Sequence, residues 1–320
     1  MRLAAFKPSV PRRQRTAAAL RGRDGWLFLA GDRNNVLGQH TGRARLGRRR
    51  QAAWKRLLRV RAADMEARGV TWLTLVAPDK EAVYADFLPP EVVPAERRPI
   101  HELLEIADSV GSPMRYPLGA MRAARSQDHR PLYFQTDTHW NQLGAFIAYC
   151  TICDDLVQRG FTVSRVTSDE VRWTEATFTG DLGEKLDPTV SGMTVRADLR
   201  KHTSRLVSDN QVANHGRRVI FESPGARGPT CVLFGESFAM QLLMFLKESF
   251  RRLVFVHTNM LDRTVIDREA ADVVLSIPVE RFLMEVPDDA GAAAKLAGTA
   301  QRKLAEGRTR AFLPGIPEAA

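Results

Sequence analysis

Cysteine is scarce in this 320-residue sequence, and its scarcity excludes a scaffold held together by disulfides. Of the three cysteines, Cys150 and Cys153 form a C-x-x-C pair and Cys231 stands alone. The pair lies inside a predicted helix, where such thiols are poorly placed to bridge, and there is no second pair to complete a zinc knuckle. We therefore expect three free thiols, buried as free cysteine generally is.

Long apolar runs are also missing. No stretch approaches the roughly 18–20 consecutive apolar residues of a membrane-spanning helix, and the basic N-terminal residues are not followed by the apolar core of a secretory signal. The chain as written would therefore start in the cytoplasm. Hydrophobic residues make up 44% of the sequence and charged residues 26%, which is ordinary for a soluble globular protein of one large domain or two small ones.

Acidic residues are outnumbered, with 37 Asp and Glu against 47 Lys and Arg, for a formal net charge of +10. Arginines near the start carry much of the excess: Arg12, Arg13, Arg15, Arg21, Arg23, Arg43, Arg45, Arg48, Arg49 and Arg50. We interpret this as compositional bias, with binding of an acidic polymer or a lipid surface as the alternative. Zinc-finger spacing and RNP-like aromatic motifs are absent, so we expect no nucleic-acid partner.

What the sequence does contain is an alternation of helical and strand patterns. Residues 51–68 carry apolar side chains at helical spacing, Gly69 ends that helix, and residues 70–77 read as a buried strand. This order predicts an α/β protein with a mostly parallel sheet. Similar patterns predict helices over 100–110, 118–125, 142–158 and 238–250, strands over 26–29, 130–134, 229–234, 251–257 and 272–278, and a loop over 34–42.

Composition divides the chain into three parts. Residues 1–20 are Pro, Arg and Ala without a period, which predicts a mobile basic arm. Residues 21–287 form the main domain, in which 161–228 predict a loop-rich insertion of short strands over the edge of the active site. Residues 288–320 predict a terminal helix and a tail.

Ser237 is the candidate nucleophile. It follows a predicted strand through Gly235 and precedes a predicted helix, so its hydroxyl should project from the edge of the sheet beside the free N–H groups of a helix N-terminus. Such N–H groups can stabilise an oxyanion. The alternative is that Ser237 is an ordinary helix N-cap.

Asp137 and His139 are the candidate partners of this serine. In an extended loop, side chains at i and i+2 point the same way, so the carboxylate can orient the imidazole as a base. Asn141 is predicted to cap the next helix. Two alternatives remain open: a surface loop with an Asp cap, or a metal site completed by His129, Asp128 and Asp181. The preferred interpretation uses no metal and no cofactor.

The motifs occur together in a familiar order. The chain from about residue 22 to 285 resembles the AlgX/AlgJ-type SGNH-hydrolase-like domains, and the D-T-H-W-N block is the most specific feature. The segments that carry the resemblance are Gly25–Phe28, 78–84 with Leu88-Pro89, 136–141 with Gly144-Ala145, Gly180–Leu182, 234–239 and 279–283.

The resemblance implies a three-layer α/β/α SGNH-like domain that O-acetylates exopolysaccharides such as alginate. It implies Ser237 as nucleophile, His139 as general base and Asp137 as the carboxylate that orients it. It also implies a polysaccharide substrate, an acetyl donor or a membrane acyltransferase partner, and a place in the periplasm or cell envelope. One departure is Glu236, which stands where the family has aspartate beside the nucleophile.

Three further residues are candidates for substrate contact. Lys80 and Asp79 follow a predicted strand, where open sheets place their sites, although a solvated, ion-paired turn is the alternative. Trp140 is either a platform for a sugar or a core residue; Asp181 and Asn259 are weaker candidates. Two other functions remain open: an esterase with the same triad, and a non-catalytic glycan-binding assembly protein.

Overall fold

Twelve strands are found in the part of the chain that the computed structural model describes, residues 15–16, 19–186, 188–226 and 228–310. They are β1 (Arg15–Thr16), β2 (Ala19–Arg21), β3 (Leu27–Leu29), β4 (Thr71–Leu75), β5 (Met114–Arg115), β6 (Val171–Phe178), β7 (Gly192–Leu199), β8 (Arg205–Asp209), β9 (Arg218–Glu222), β10 (Thr230–Gly235), β11 (Arg252–His257) and β12 (Val273–Ile277).

The α-helices of the same residues alternate with many of these strands. They are α1 (Val36–His40), α2 (Arg48–Ala67), α3 (Lys80–Val83), α4 (Pro99–Asp108), α5 (Leu118–Gln127), α6 (Gln142–Gln158), α7 (Ser237–Ser249), α8 (Arg263–Arg268) and α9 (Ala292–Ala305). None of these helices is long and apolar enough to cross a bilayer.

The central sheet has seven strands in the order β5–β4–β12–β10–β11–β9–β8. The first five run parallel, and β9 and β8 extend the sheet as an antiparallel pair. The central strands are short apolar runs because both of their faces are covered. The prediction of an α/β protein with a mostly parallel sheet is confirmed.

Alternate side chains of each strand enter different layers, as the pleat requires. Leu233 of β10 lies in the same apolar cluster as Met121 of α5, Phe146 of α6 and Leu243 of α7. Its neighbour Val232 lies in a second cluster, whose helical members include Trp54 of α2, Leu103 of α4, Ile266 of α8 and Leu296 of α9. Helices therefore cover both faces of the sheet, which gives the three-layer α/β/α arrangement.

The region 161–228 differs in part from its prediction. Strands β6 and β7 pair over eight residues each as a separate antiparallel hairpin. Strands β8 and β9, however, belong to the central sheet. Only β6 and β7 thus form a unit outside the central sheet, whereas β8 and β9 extend that sheet.

Two local predictions are wrong. The segment 34–42 contains the short helix α1, whose residues are all buried, rather than only loop. The segment 130–134 makes only a single bridge, between Tyr133 and Trp140, and forms no strand. The thiols are free, and Cys153 and Cys231 are buried as expected, whereas Cys150 is only half-buried.

The ends of the chain are described only in part. Strand β1 pairs with β2, and β2 with β3, in a small three-stranded sheet that includes residues 19–21. The prediction of a mobile arm is therefore wrong for residues 19–20, because they pair in β2 and the side chain of Leu20 is packed in the core. Residues 1–14 and 17–18 of the predicted arm lie outside the described residues. The terminal helix is α9, and the predicted tail beyond residue 310 likewise lies outside them.

Replacement of Leu233, which has no solvent exposure, tests the packing of the sheet. Leu233→Ala removes buried methyl groups between the sheet and α7, so we expect the free energy of unfolding to fall by about 2–5 kcal/mol. Urea denaturation followed by circular dichroism measures it. Val60→Ala is the control, because Val60 is 48% exposed on α2 and its replacement should change stability by only about 0.5 kcal/mol. Equal effects of the two changes would contradict this packing.

Candidate active site

The candidate nucleophile lies where a central strand becomes a helix. Strand β10 ends at Gly235, and α7 begins at Ser237. The turn is tight at Gly235, since an added Cβ atom would lie 2.5 Å from the Cβ of Ala239. The N–H groups in the first turn of α7 have no partners within the helix, so they are available beside the half-buried hydroxyl of Ser237.

The acid and the imidazole come from the loop before α6. Asn141 caps this helix as predicted, and its side-chain oxygen accepts hydrogen bonds from the backbone N–H groups of Leu143 (2.9 Å) and Gly144 (3.1 Å). The cap fixes where the helix begins and therefore where the preceding residues lie. The loop reaches the C-terminal edge of the sheet, next to Ser237.

Three side chains form one hydrogen-bonded chain at this edge. The Nε2 atom of His139 lies 2.6 Å from the hydroxyl oxygen of Ser237. The Nδ1 atom of the same ring lies 2.6 Å from Oδ1 of Asp137. The structure thus brings together the three residues that the sequence singled out, although 98 positions separate the histidine from the serine.

Asp137 is held as an ionised acceptor. Its Oδ1 atom also accepts from the backbone N–H of His139, and its Oδ2 atom accepts from the backbone N–H of Asp181, both at 2.9 Å. Burial alone would raise the pKa of Asp137, but these hydrogen bonds and the histidine outweigh it and leave the pKa well below its usual range. The carboxylate can therefore orient the imidazole and stabilise it once protonated.

Asp181 supports the loop that carries Asp137 and His139 by bonding Thr138, which lies between them. Its carboxylate accepts from the backbone N–H of Thr138 (2.9 Å) and from the hydroxyl of Thr138 (3.0 Å). The neighbouring Gly180 makes this approach possible, because a Cβ atom there would lie 2.2 Å from the Cβ of Asp137. The sequence signal was the G-D-L segment, which gave no indication of this packing.

The three side chains predicted to contact substrate do not line the cleft. Trp140 is buried, and its indole N–H donates to the carbonyl of Phe238 at 3.0 Å. Asp79 is buried in an ion pair with Arg281, with 2.6 Å between Oδ1 and Nη1. Lys80 is buried against backbone carbonyls. Asp79 and Lys80 are buried because the loop after β4 turns into the protein, and Trp140 is buried because its ring packs against Phe238 at the start of α7. Each of the three therefore supports the site instead of facing a sugar.

The ring of Phe238 packs beneath the site. Its ring centroid lies 4.9 Å from that of His139 and 5.0 Å from that of Trp140. On another side, the guanidinium carbon of Arg281 lies 5.2 Å from its centroid. The first turn of α7 is thus packed against both the histidine loop and the buried ion pair.

A cleft of about 1270 Å³ opens beside the triad. The hairpin β6–β7 forms much of its wall, and polar, charged and aromatic side chains face it. Among those that line it are Phe134, Gln142, Arg172, Thr174, Phe178, Arg196, Asp198 and Gln241. None of these side chains was predicted, because their place follows from the pairing of the hairpin and not from a local motif.

Glu236 does not reach toward the triad. Its Oε1 atom accepts a hydrogen bond from Nδ2 of Asn259 at 2.9 Å. Burial raises the pKa of Glu236. The side chain that departs from the family pattern is therefore engaged with the loop after β11, and the serine hydroxyl remains free to bond His139.

The metal alternative involves Asp137, His139 and Asp181, whose ligand atoms lie within 4.8 Å of one another. Each carboxylate among them is already engaged by N–H or O–H donors of the protein, and Nε2 of His139 faces Ser237. The other two proposed ligands are not in this group, and Asp128 is paired with Arg130. Hydrogen bonding explains the arrangement better than metal coordination does.

Gly180→Ala tests whether the loop around Asp181 sets the position of Asp137. The added methyl group must displace the carboxylate loop, so we expect the rate at which a sulfonyl fluoride modifies Ser237 to fall by about 10²-fold, the scale expected for a misplaced catalytic group. Intact-protein mass spectrometry measures that rate. Gly119→Ala is the matched control, since nothing lies within 4 Å of a Cβ atom at this helical position. Equal rates in the two variants would show that the loop does not position Asp137.

Comparison with known proteins identifies a family for this chain. Residues 19–260 match the family model described as the SGNH hydrolase-like domain of the acetyltransferase AlgX. A sequence search among curated proteins gives no significant match.

Similar structures have low sequence identity. PatB1 from Bacillus cereus matches with a TM-score of 0.59 and 16% identity, covering 84% of this chain and 99% of that one. A DHHW family protein from Eubacterium siraeum matches with a TM-score of 0.56 and 16% identity, over 87% and 98% of the two chains. The O-acetyltransferase domain of AlgJ from Pseudomonas putida matches with a TM-score of 0.50 and 16% identity, over 89% and 99%. These likenesses show the fold, and the family model, which spans more than half of the chain, shows that this protein belongs to the SGNH hydrolase-like domain family of the acetyltransferase AlgX.

Proposed function

We propose that this protein is a serine-dependent O-acetyltransferase that moves an acetyl group through Ser237 onto a hydroxyl group of a polysaccharide. The observation that carries the proposal is the unbroken hydrogen-bonded chain from Asp137 through His139 to Ser237. A family that includes acetyltransferases and the cleft beside the serine both support it.

In the first half of the proposed reaction, the oxygen of Ser237 attacks the carbonyl carbon of the acetyl donor. His139 takes the hydroxyl proton on Nε2, and Asp137 stabilises the imidazolium that results. N–H groups in the first turn of α7 are placed to stabilise the negative charge on the carbonyl oxygen. The intermediate then collapses, the leaving group departs with the proton from His139, and an acetyl ester remains on Ser237.

In the second half, a sugar hydroxyl attacks the acetyl ester. His139, again neutral, accepts the hydroxyl proton and returns a proton to the oxygen of Ser237 as the ester bond breaks. The size of the cleft supports an acceptor of saccharide size, because about 1270 Å³ is more than an acetyl group alone needs. Side chains such as Thr174, Gln142 and Gln241 offer hydrogen bonds to sugar hydroxyl groups.

An esterase with the same acyl-enzyme is the second candidate. Solvent can reach His139, because its side chain is 24% exposed. Water can therefore replace the sugar hydroxyl in the second half of the reaction. The two functions share every residue of the triad and differ only in the acceptor. We further propose, on the family resemblance alone, that the donor is presented by a membrane acyltransferase partner.

Removal of the triad side chains should abolish the reaction without unfolding the protein. For Ser237→Ala and His139→Ala we expect release of 4-nitrophenol from 4-nitrophenyl acetate to fall roughly 10⁴-fold or more, because the nucleophile or its base is gone. The thermal midpoint should stay near that of the original protein, since neither side chain is fully buried. Ser126→Ala and His129→Ala are matched controls on an exposed surface.

Steady activity in both triad variants would contradict the catalytic assignment. A loss of activity accompanied by a fall of many degrees in the thermal midpoint would instead point to structural roles. Unchanged acetylation of the polymer in cells that carry Ser237→Ala would favour a non-catalytic glycan-binding protein.

The acceptor decides between transferase and esterase. With 4-nitrophenyl acetate and an oligosaccharide mixture, we expect acetylated oligosaccharide to form at the expense of free acetate, because the cleft beside Ser237 has room for a sugar and side chains that can bond its hydroxyl groups. Mass spectrometry of the sugars and an assay for acetate give the two yields. If free acetate is the sole product at every oligosaccharide concentration, the esterase is the correct function.

A further inference from the structure

Lys80 is fully buried directly beneath the loop that carries the acid and the base. It is the first residue of α3, after the turn that follows β4. Its side-chain nitrogen Nζ donates hydrogen bonds to the backbone carbonyls of Phe134 (3.1 Å), Gln135 (3.1 Å) and Asp137 (2.5 Å). These three carbonyls belong to the segment that leads into the triad.

The surroundings of Nζ fit a cation. An ammonium group has three N–H donors, and three carbonyls accept from it here, whereas a neutral amine has only two donors. The nitrogen also lies 5.7 Å from the ring centroid of Trp26 and 5.6 Å from that of Phe28, within the range of cation–π attraction. Loss of the proton would leave one carbonyl without its donor and remove the positive charge from both rings.

We propose that Lys80 is a positioning residue whose protonated form holds the segment from Phe134 to Asp137 in the conformation in which Asp137 bonds His139. The inference rests on the proposed function, because it assigns a task to Lys80 only if His139 acts as the base for Ser237. When Lys80 loses its proton, its hydrogen bond to the carbonyl of Asp137 weakens, and Asp137 no longer orients His139.

This arrangement makes the activity depend on pH. Burial lowers the pKa of Lys80 to about 8, although the negative charges of Glu81 on the same helix, Asp137 on the histidine loop and Asp181 on the adjacent loop raise it. Lys80 therefore titrates within the range in which a serine hydrolase or transferase is assayed. Activity should decline above pH 8 as the ammonium form disappears.

The loss of the Lys80 proton should lower the activity above pH 8 but not the stability of the fold. The pKa of Lys80 is lower in the folded protein than the ordinary value of 10.5, so between pH 8 and 10.5 the unfolded chain binds more protons at this residue. The contribution of Lys80 to the free energy of unfolding then increases with pH across that window. A decline in activity there without a matching loss of stability separates positioning from simple unfolding.

The rate at which phenylmethylsulfonyl fluoride modifies Ser237 is a direct readout. In this reaction the serine oxygen bonds to sulfur, fluoride leaves, and His139 takes the proton, so the rate reports how well the base is placed. We would measure it by intact-protein mass spectrometry from pH 6 to 10, with the thermal midpoint at each pH. For the original protein we expect the rate constant to fall by about 10²-fold between pH 7 and 10, as for a displaced catalytic group.

Substitutions at Lys80 assign the decline to this residue. Lys80→Arg keeps a positive charge throughout the range, so we expect its rate to show no decline above pH 8, even if its value at pH 7 is lower. Lys80→Met removes charge and donors, and its rate should be about 10²-fold low at all pH values. Lys247→Met is the matched control, because Lys247 is also buried on a helix. It lies ten residues after Ser237 on α7 and bonds Ser204 and Glu248, not the loop of the acid and the base.

Each outcome supports or overturns the proposal. A decline above pH 8 in the original protein and in Lys247→Met, and its absence in Lys80→Arg, supports it. No decline in the original protein, or the same decline in Lys80→Arg, overturns it while Ser237 remains a reactive nucleophile and the proposed function stands. If Ser237 is not modified at any pH, the proposed function fails and this inference fails with it. Should Lys80→Arg not fold, Lys80→Met decides: a rate that is low at every pH and no longer declines above pH 8 supports the proposal, and a rate with the same decline as the original protein overturns it.

Discussion

The hydrogen bonds that His139 makes on both sides of its ring are the constraint on which the site depends. One ring nitrogen lies 2.6 Å from the carboxylate of Asp137 and the other lies 2.6 Å from the hydroxyl of Ser237. A carboxylate on one side fixes the tautomer, so that the nitrogen facing the serine is the one able to accept a proton. Much of the surrounding structure can be understood as a means of holding two loops close enough for this ring to bridge them.

Three neighbouring strands of the sheet supply the supports. Strands β4, β12 and β10 are adjacent and parallel. The chain after β4 carries Asp79 and Lys80, the chain after β12 carries Arg281, and the chain after β10 carries Ser237. Asp79 holds Arg281, whose guanidinium packs on Phe238 next to the nucleophile. Lys80 holds the loop of the acid and the base. One two-residue segment therefore braces both halves of the triad. Buried ion pairs add little net stability, which is consistent with a role in fixing geometry.

The sequence was sufficient for the framework, and the reasons are physical. It also singled out the three residues of the hydrogen-bonded chain, but local patterns alone left other roles open for each of them, and only the family resemblance favoured a triad. Buried parallel strands and amphipathic helices leave periodic patterns, so β10, α7 and α6 could be located from sequence alone. Asp137, His139 and Ser237 lie beside sharp local signals, a strand-to-helix turn and a helix cap. Burial, by contrast, is decided by tertiary packing. Nothing local distinguishes a lysine that faces a sugar from one that bonds three carbonyls, so Lys80 and Asp79, which were predicted to contact substrate, are instead buried beneath the loop. For Trp140 the sequence favours neither a sugar platform nor a core position, and its burial agrees with the core position. The cleft wall depends on the register of the β6–β7 hairpin, which no motif encodes.

The central claim is that acetyl passes through a covalent ester on Ser237. Rapid quenching of the protein with an excess of 4-nitrophenyl acetate, followed by mass spectrometry of its peptides, tests it most directly. The account predicts that the peptide containing Ser237 gains the mass of one acetyl group, that fragmentation places the group on that serine, and that it disappears when the acceptor is added. An unmodified Ser237 during turnover, or acetyl found only on another residue, would contradict the account.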